Sequence, residues 1–207
     1  AIQDTSKAIE EEHSVNWSQM LKLIHLTGME KSMKNQYQNA SNISARIQLH
    51  NKYSTNTQGW FPWIFDQCHM AEHSTVLEIG CGDGSLWLEN KEKIPKQLHV
   101  VLSDISEGML RDTRRAIHAN VKTSRFDFQV FDCERIPYPD NSFDLVIANH
   151  ILFYCKNLTS VFEEISRVLK TGGTFVCSTY GAAHMKEINE LVSEFDDRIF
   201  LSADRLF

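Results

Sequence analysis

Three glycines at alternate positions follow the first apolar run of this sequence and could bring a ligand against the backbone. The run Val76–Ile79 leads into Gly80, Gly82 and Gly84. A turn without Cβ atoms can bend tightly and lie flat against a ligand, although ordinary strand–turn–helix junctions also carry glycines. The dinucleotide fingerprint G-x-G-x-x-G requires its third glycine one residue later, where this chain has Ser85, so the spacing disfavours a nicotinamide cofactor.

Acidic side chains follow two later apolar runs. The run Leu98–Leu102 is closed by Asp104, which lies 26 residues after Glu78, a span that fits one crossover helix with its loops. A carboxylate at this point can accept both hydroxyl groups of a ribose. The run 126–131 is followed by Asp132. These positions therefore predict a nucleoside-binding edge.

Five apolar runs predict the sheet that positions these residues. They lie near residues 75–79, 98–103, 126–131, 143–148 and 174–179. The segments between them are long enough for right-handed crossovers, so we predict an α/β fold with a doubly wound parallel sheet of order 3-2-1-4-5 and helices on both faces. In such a sheet the carboxyl ends of the strands share one edge, where ligands bind. We also predict a helix over Thr159–Lys170 that ends at Gly172 and Gly173.

The motifs together resemble those of the class I S-adenosylmethionine-dependent methyltransferases, in particular the small-molecule type (methyltransferase type 11-like) that includes quinone-biosynthesis enzymes. The resemblance covers residues 74–180 and rests on four motifs in the usual order: VLEIGCGDG, LSDISEGML, FDCERIPYPDNSFDLVIANHILFY and LKTGGTFVCST. It implies a Rossmann-like form of the predicted fold and S-adenosylmethionine as cofactor. It also implies methyl transfer to a small or medium-sized metabolite at oxygen, nitrogen or carbon.

The resemblance implies a cofactor-binding role for each of a set of residues. It places Gly80, Cys81 and Gly82 at the methionine part, Asp104 on the ribose, Ile105 and Met109 against the adenine face, Asp132 and Cys133 on the adenine edge, and Asn149 near the sulfonium. Because the cofactor carries a sulfonium and an ammonium against one carboxylate, a site with Glu78, Asp104 and Asp132 suits its charge. Alternatives remain for two members: Glu78 would hold the loop by hydrogen bonds, and Met109 would pack in the core.

Methyl transfer asks little of side chains, because the methyl carbon is already activated by the positive sulfur and positioning supplies much of the acceleration. A base is needed only when the acceptor arrives protonated. His150 follows Asn149 at the end of the fourth run and is the candidate catalytic base. A histidine that only orients its loop is the alternative interpretation.

The first 70 residues are polar and lack strand-like alternation. We expect residues 1–70 to form a helical lid or substrate-shaping segment before the methyltransferase domain of residues 71–207. In the resembled enzymes this segment covers the cofactor, which implies a cofactor contact for Tyr37 and a two-donor clamp from Arg46 to the cofactor carboxylate. A surface position is the alternative for Arg46.

An aromatic cluster lies near the end of this segment. We expect Trp63 and Phe65 to pack in the core, because so much aromatic surface is unfavourable in water. Trp60 is then left to line a pocket.

Composition limits the partners. The chain has 207 residues and a formal net charge of −6, without a lysine- or arginine-rich stripe, which disfavours nucleic acid as a partner. Its five cysteines form no C-x-x-C pair and predict reduced thiols in a cytoplasmic protein. No apolar run approaches the roughly 18 to 20 residues that span a bilayer, so we expect no membrane association. No recognisable metal-ligand grouping of histidines occurs, so no metal is predicted.

The end of the sequence lacks a part that the resembled fold normally has. Beyond its fifth strand that fold continues into a helix and an antiparallel strand pair, whereas only a helical stretch near residues 184–195 and a tail follow here. We therefore expect a C-terminally incomplete domain, with a natural short form as the alternative. An exposed edge on strand five would then let the chain form a homo-oligomer.

Two other functions stay open at the level of sequence. One is a nucleoside-cofactor-binding domain without transferase activity. The other is an NAD(P)-dependent oxidoreductase, which shares the layout of strand, glycine turn, strand and acidic residue.

Overall fold

Five strands lie at the apolar runs that predict them, with helices between most of them. The computed structural model describes residues 54–179 together with Lys52, Gly181, Glu187, Glu190, Leu191 and Glu194. The elements of residues 54–179 are α1 (Trp60–Gln67), β1 (Thr75–Ile79), α2 (Ser85–Leu88), β2 (His99–Asp104), α3 (Glu107–Asn120), β3 (Arg125–Val130), β4 (Phe143–Asn149), a 3-10 turn (Leu152–Tyr154), α4 (Leu158–Val168) and β5 (Leu169–Ser178).

The five strands form one parallel sheet. Their spatial order is β3-β2-β1-β4-β5, and every pairing along it is parallel. The predicted topology is therefore confirmed. The central strand β1 is buried from Val76 to Ile79, as expected for a parallel sheet that is covered on both faces.

Two hydrophobic clusters cover the two faces of the sheet. Side chains of successive strand residues point to opposite faces, so Val76 belongs to one cluster and Leu77 to the other. The cluster of Val76 includes Trp87 of α2 and Ile117 of α3. The cluster of Leu77 includes Ile165 of α4. Helices on both faces thus fix the strand ends at which the predicted site lies.

The sequence predicts that the glycine pair after α4 ends that helix, but the structure shows that it does not. Helix α4 ends at Val168, and β5 begins at once with Leu169, which pairs with Phe143. The pair then lies in an irregular stretch of β5, where Gly172 has φ +79° and a Cβ on Gly173 would lie 2.9 Å from the Lys170 carbonyl oxygen. The glycines therefore allow a bulge inside the strand.

One of the aromatic residues of α1 is exposed although the sequence predicts a core position for it. Phe65 is buried, as predicted, but the side chain of Trp63 is 42% exposed, so its predicted place in the core is wrong. Trp60 and Trp63 are three residues apart and share a helix face, with ring centroids 5.4 Å apart. Ile64 and Phe65 are buried in the core, whereas both tryptophans are exposed.

Candidate cofactor and acceptor site

The glycine turn after β1 is shaped by close neighbours as well as by its backbone conformation. Gly80 has φ +68°, and a Cβ at this position would lie 2.3 Å from Cγ2 of Ile151. Gly84 has φ +78°, and a Cβ there would lie 2.8 Å from Cγ2 of Thr113 on α3. Any larger residue would strain the backbone and push these neighbours away. The turn is thus enclosed between α3 and the loop after β4.

Asp104, at the end of β2, is attached directly to the glycine turn. Its Oδ2 accepts a hydrogen bond from the Gly82 N–H at 3.2 Å, and its Oδ1 accepts one from the Ser106 N–H at 2.8 Å. Thr113 donates to the Gly82 carbonyl from the other side, at 2.6 Å. A carboxylate offers about four lone-pair positions, so Asp104 keeps acceptor capacity beyond these bonds. Burial raises the pKa of Asp104 above its usual value, and these N–H donors oppose that effect.

Glu78 lies beneath the turn rather than in it. Its side chain is 2% exposed, and Oε2 accepts a hydrogen bond of 2.6 Å from the Trp87 indole N–H. Burial is the main reason why the pKa of Glu78 is raised to about 8, and the nearby charges of Asp83 and Asp104 add to it. The carboxyl is then mostly neutral at neutral pH, so it adds little negative charge for a cationic cofactor. These contacts favour the interpretation in which Glu78 holds the loop.

The residues expected around the adenine differ in accessibility. Ile105 is 72% exposed directly after β2, whereas Met109 is 1% exposed and packs inside the protein. Asp132 is exposed just past β3, and its Oδ1 accepts a hydrogen bond from the Glu134 N–H at 3.0 Å. Since β2 and β3 are neighbours in register, Ile105 and Asp132 follow adjacent strand ends. Their contact with adenine, and that of Met109, stay predictions.

Two thiols join the loop after β3 to the loop after β4. The Sγ atoms of Cys133 and Cys155 lie 3.4 Å apart. Their hydrogen bond raises the pKa of Cys133 and lowers that of Cys155. Glu134 strengthens the same junction by accepting the backbone N–H groups of Lys156 and Asn157 at 2.9 and 3.0 Å. Sequence reasoning missed this junction, because the partners are more than twenty residues apart and form no local motif.

At the end of β4, Asn149 is held by its side chain. Its Oδ1 accepts one hydrogen bond of 2.6 Å from the Ser178 hydroxyl and another of 3.2 Å from the Trp60 indole N–H. His150 follows with φ +56°, a left-handed conformation that is uncommon outside glycine. Its backbone N–H donates to the Ser178 hydroxyl at 3.0 Å. Ser178 thereby fixes both residues, a role that sequence reasoning did not assign to it.

Trp60 covers the imidazole of His150. The two rings are stacked, with centroids 4.7 Å apart and an angle of 23° between their planes. The exposed indole therefore forms a wall beside the candidate base. The other two predicted cofactor residues, Tyr37 and Arg46, lie outside the described residues.

The fold defines a class of protein: a Rossmann-like, doubly wound domain, in which ligands bind at the carboxyl ends of the parallel strands. Residues 77–177 match the model of a family described as a methyltransferase domain. These residues are therefore similar to the class I S-adenosylmethionine-dependent methyltransferases, including those of quinone biosynthesis. The resemblance predicted from the sequence and the cofactor that it implies are thereby confirmed, and the match gives no support to an oxidoreductase.

Known relatives agree with this assignment. Demethylmenaquinone methyltransferase of Symbiobacterium thermophilum is 32% identical over 118 residues, which cover 57% of this chain and 47% of the relative. Malonyl-[acyl-carrier protein] O-methyltransferase of Nitrosospira multiformis is 30% identical, with coverages of 59% and 44%. The structure of phosphoethanolamine N-methyltransferase 2 of Haemonchus contortus, in complex with S-adenosyl-L-methionine, matches with a TM-score of 0.58 and 25% identity over 75% of this chain and 37% of that one. The chain spans about half the length of the curated relatives it matches.

Among the described residues, no helix has both the length and the apolar character that a membrane span requires.

Proposed function

We propose that this chain binds S-adenosylmethionine across the ends of β1 and β2 and transfers its methyl group to a small or medium-sized metabolite. The observation that carries the proposal is the link between Asp104 and the Gly82 N–H, at 3.2 Å. It holds a carboxylate with spare acceptor capacity against the glycine turn, as the ribose and the methionine part of the cofactor require. We call residues 80–84 with Asp104 the cofactor half of the site.

The acceptor would approach from the ends of β4 and β5. Trp60, Asn149, His150 and Ser178 meet there, and we call them the acceptor half. His150 is proposed to remove a proton from an acceptor that arrives as a hydroxyl or an amine. The similar proteins include an O-methyltransferase and an N-methyltransferase, so both oxygen and nitrogen acceptors are tested. A metabolite is favoured over nucleic acid as the acceptor because the chain has a formal charge of −6 and no basic stripe. We propose that the protein acts in the cytoplasm.

The proposal is tested by methyl transfer from S-adenosylmethionine that carries an isotope-labelled methyl group. The protein is incubated in separate reactions with a phenol, a carboxylic acid, an amine and a compound with a nucleophilic carbon. S-adenosylhomocysteine and labelled product are quantified in each reaction. We expect labelled product with one acceptor class, in equal amount to S-adenosylhomocysteine. Tight binding of S-adenosylhomocysteine without transfer to any class would contradict the transferase and favour a cofactor-binding domain instead.

We also propose that the chain self-associates through β5. Within the described residues β5 pairs with β4 alone, and unpaired backbone groups on a sheet edge can accept another strand. A charge on the exposed Cys177, introduced as Cys177→Lys, should reduce association in analytical ultracentrifugation, and Cys177→Ser is the matched control. A wild-type chain that is monomeric at every concentration would contradict this proposal.

A further inference from the structure

The indole of Trp60 contacts two residues that lie about ninety positions later in the sequence. Its ring stacks on the imidazole of His150, with centroids 4.7 Å apart and an interplanar angle of 23°. Its N–H donates to Oδ1 of Asn149 at 3.2 Å. One exposed side chain thus touches both residues at the end of β4 that the acceptor half contains.

The helix that carries Trp60 is anchored in the core by neighbouring residues. Ile64 and Phe65 are 3% and 7% exposed, and the ring of Phe65 meets that of Trp87 edge to face at 6.1 Å. The side chain of Asn90 also donates to the Phe61 carbonyl at 3.2 Å. The indole is therefore carried by a helix that is fixed to the core, so its position over His150 is defined.

His150 needs support, because its backbone has the left-handed conformation, with φ +56°. Such a conformation is unfavourable for a residue with a Cβ and persists where the surroundings hold it. Ser178 holds the backbone by accepting the His150 N–H at 3.0 Å. Trp60 stacks on the ring at 4.7 Å between centroids, and the ring of Phe153 lies farther away, at 6.4 Å. Backbone and ring are thus supported by different neighbours.

We propose that Trp60 is a positioning residue that orients the imidazole of His150 toward the methyl acceptor. This inference rests on the proposed function and on His150 as its base. The imidazole nitrogen takes the proton of the acceptor O–H or N–H, while the acceptor lone pair forms a bond to the methyl carbon and the carbon–sulfur bond breaks. S-adenosylhomocysteine leaves as a neutral sulfide, and the imidazolium returns its proton to water. The stacked indole face stabilises the imidazolium and restricts its rotation.

Three variants separate stacking from hydrogen bonding. Trp60→Phe keeps an aromatic face but removes the N–H to Asn149, and Trp60→Leu removes both. Trp63→Leu is the matched control, because Trp63 is a similarly exposed tryptophan on the same helix face. Circular dichroism and urea unfolding first establish that each variant is folded.

The first readout needs no acceptor. We expect the ring proton resonances of His150, assigned with His150→Gln, to lose their upfield ring-current shift in Trp60→Leu and to keep most of it in Trp60→Phe and Trp63→Leu. Resonances that are the same in Trp60→Leu and in the wild type would overturn the contact. If Trp60→Leu does not fold, the indole fluorescence of the wild type should fall as His150 is protonated, and this pH dependence should vanish in His150→Gln. Equal pH dependence in both proteins would overturn the contact as well.

The second readout uses the hydroxyl or amine acceptor that the labelled-methyl experiment identifies. Trp60→Leu should lower kcat about tenfold to a hundredfold, the range expected when a base is misplaced, with little change in the affinity for S-adenosylhomocysteine. Trp60→Phe should recover most of kcat. A kcat in Trp60→Leu equal to that of Trp63→Leu would overturn the positioning role. Failure of the proposed function would give a different result, since the wild type itself would then transfer no methyl group to any acceptor.

Discussion

The two halves of the site are held by different kinds of contact. In the cofactor half, backbone groups of a short turn are bound to one carboxylate and one hydroxyl, those of Asp104 and Thr113. In the acceptor half, the contacts run between side chains from three distant segments, as in the shared bonding of Asn149 by Trp60 and Ser178. The first arrangement joins the glycine turn to the strand and helix that follow it, within 31 residues, whereas the second joins segments up to 89 residues apart. Substitutions at few positions should therefore affect cofactor binding, whereas substitutions at many positions should affect the geometry of the acceptor half.

The largest effect is expected from Gly80→Ala in the cofactor half. The new Cβ would lie 2.3 Å from the Ile151 side chain at a φ of +68°, so both overpacking and backbone strain are introduced. We expect a loss of about 2–5 kcal/mol in the free energy of unfolding, measured with urea. Gly172→Ala is the control, because φ is +79° there but nothing lies within 4 Å of the added atom. Equal losses in the two variants would mean that the contact with Ile151 does not constrain the turn.

Asp104→Ala should weaken the binding of S-adenosylhomocysteine by about 1–3 kcal/mol, the usual penalty for leaving hydrogen-bond partners unsatisfied. Asp127→Ala removes the same charge from the middle of β3, where Asp127 pairs with His99 and Arg125. Its affinity should stay at the wild-type value in calorimetry. If the two variants bind alike, Asp104 has no specific role in the cofactor half.

Glu78→Gln should change how stability depends on pH. The pKa of Glu78 is raised to about 8 in the folded protein from a reference value of 4.5, so between these values the folded state keeps a proton that the unfolded state has released. The contribution of Glu78 to stability therefore falls as pH rises through this window, by at most about 1.4 kcal/mol per pH unit. The variant should lose this slope while its amide oxygen still accepts the Trp87 N–H. Exposed Glu92→Gln should retain the wild-type slope, and a retained slope in Glu78→Gln would contradict the assignment.

The smallest effect is expected from Ser178→Ala in the acceptor half. The variant removes the hydroxyl that donates to Asn149 and accepts from the His150 N–H, for a loss of about 1 kcal/mol in stability. The ring resonances of His150 should move at the same time. Ser124→Ala removes a hydroxyl that donates to the Pro95 carbonyl and should leave those resonances in place. Unmoved resonances in Ser178→Ala would show that Ser178 does not support His150.

The same difference explains what the sequence could predict. The strand order and the positions of Gly80, Gly82 and Asp104 at strand ends follow from apolar runs and local spacing. The contact of Trp60 with His150 depends on how α1 packs against the end of β4, which no local pattern encodes. Trp63 was misplaced because hydrophobicity alone does not tell which face of a short helix is buried.

Two further differences have local physical causes. The neutral state of Glu78 follows from desolvation, which depends on how completely the fold covers the carboxyl group. The glycine pair at positions 172 and 173 fits a helix end as well as a strand bulge, and only the pairing of Leu169 with Phe143 selects the bulge.

The central claim is that the cofactor half binds S-adenosylmethionine in the conformation described above. Calorimetric titration of the wild-type chain with S-adenosylhomocysteine and, separately, with NADH tests it most directly. The account predicts saturable binding of S-adenosylhomocysteine with one site per chain and no measurable heat with NADH. Saturable binding of NADH, or the absence of binding by S-adenosylhomocysteine, would contradict it.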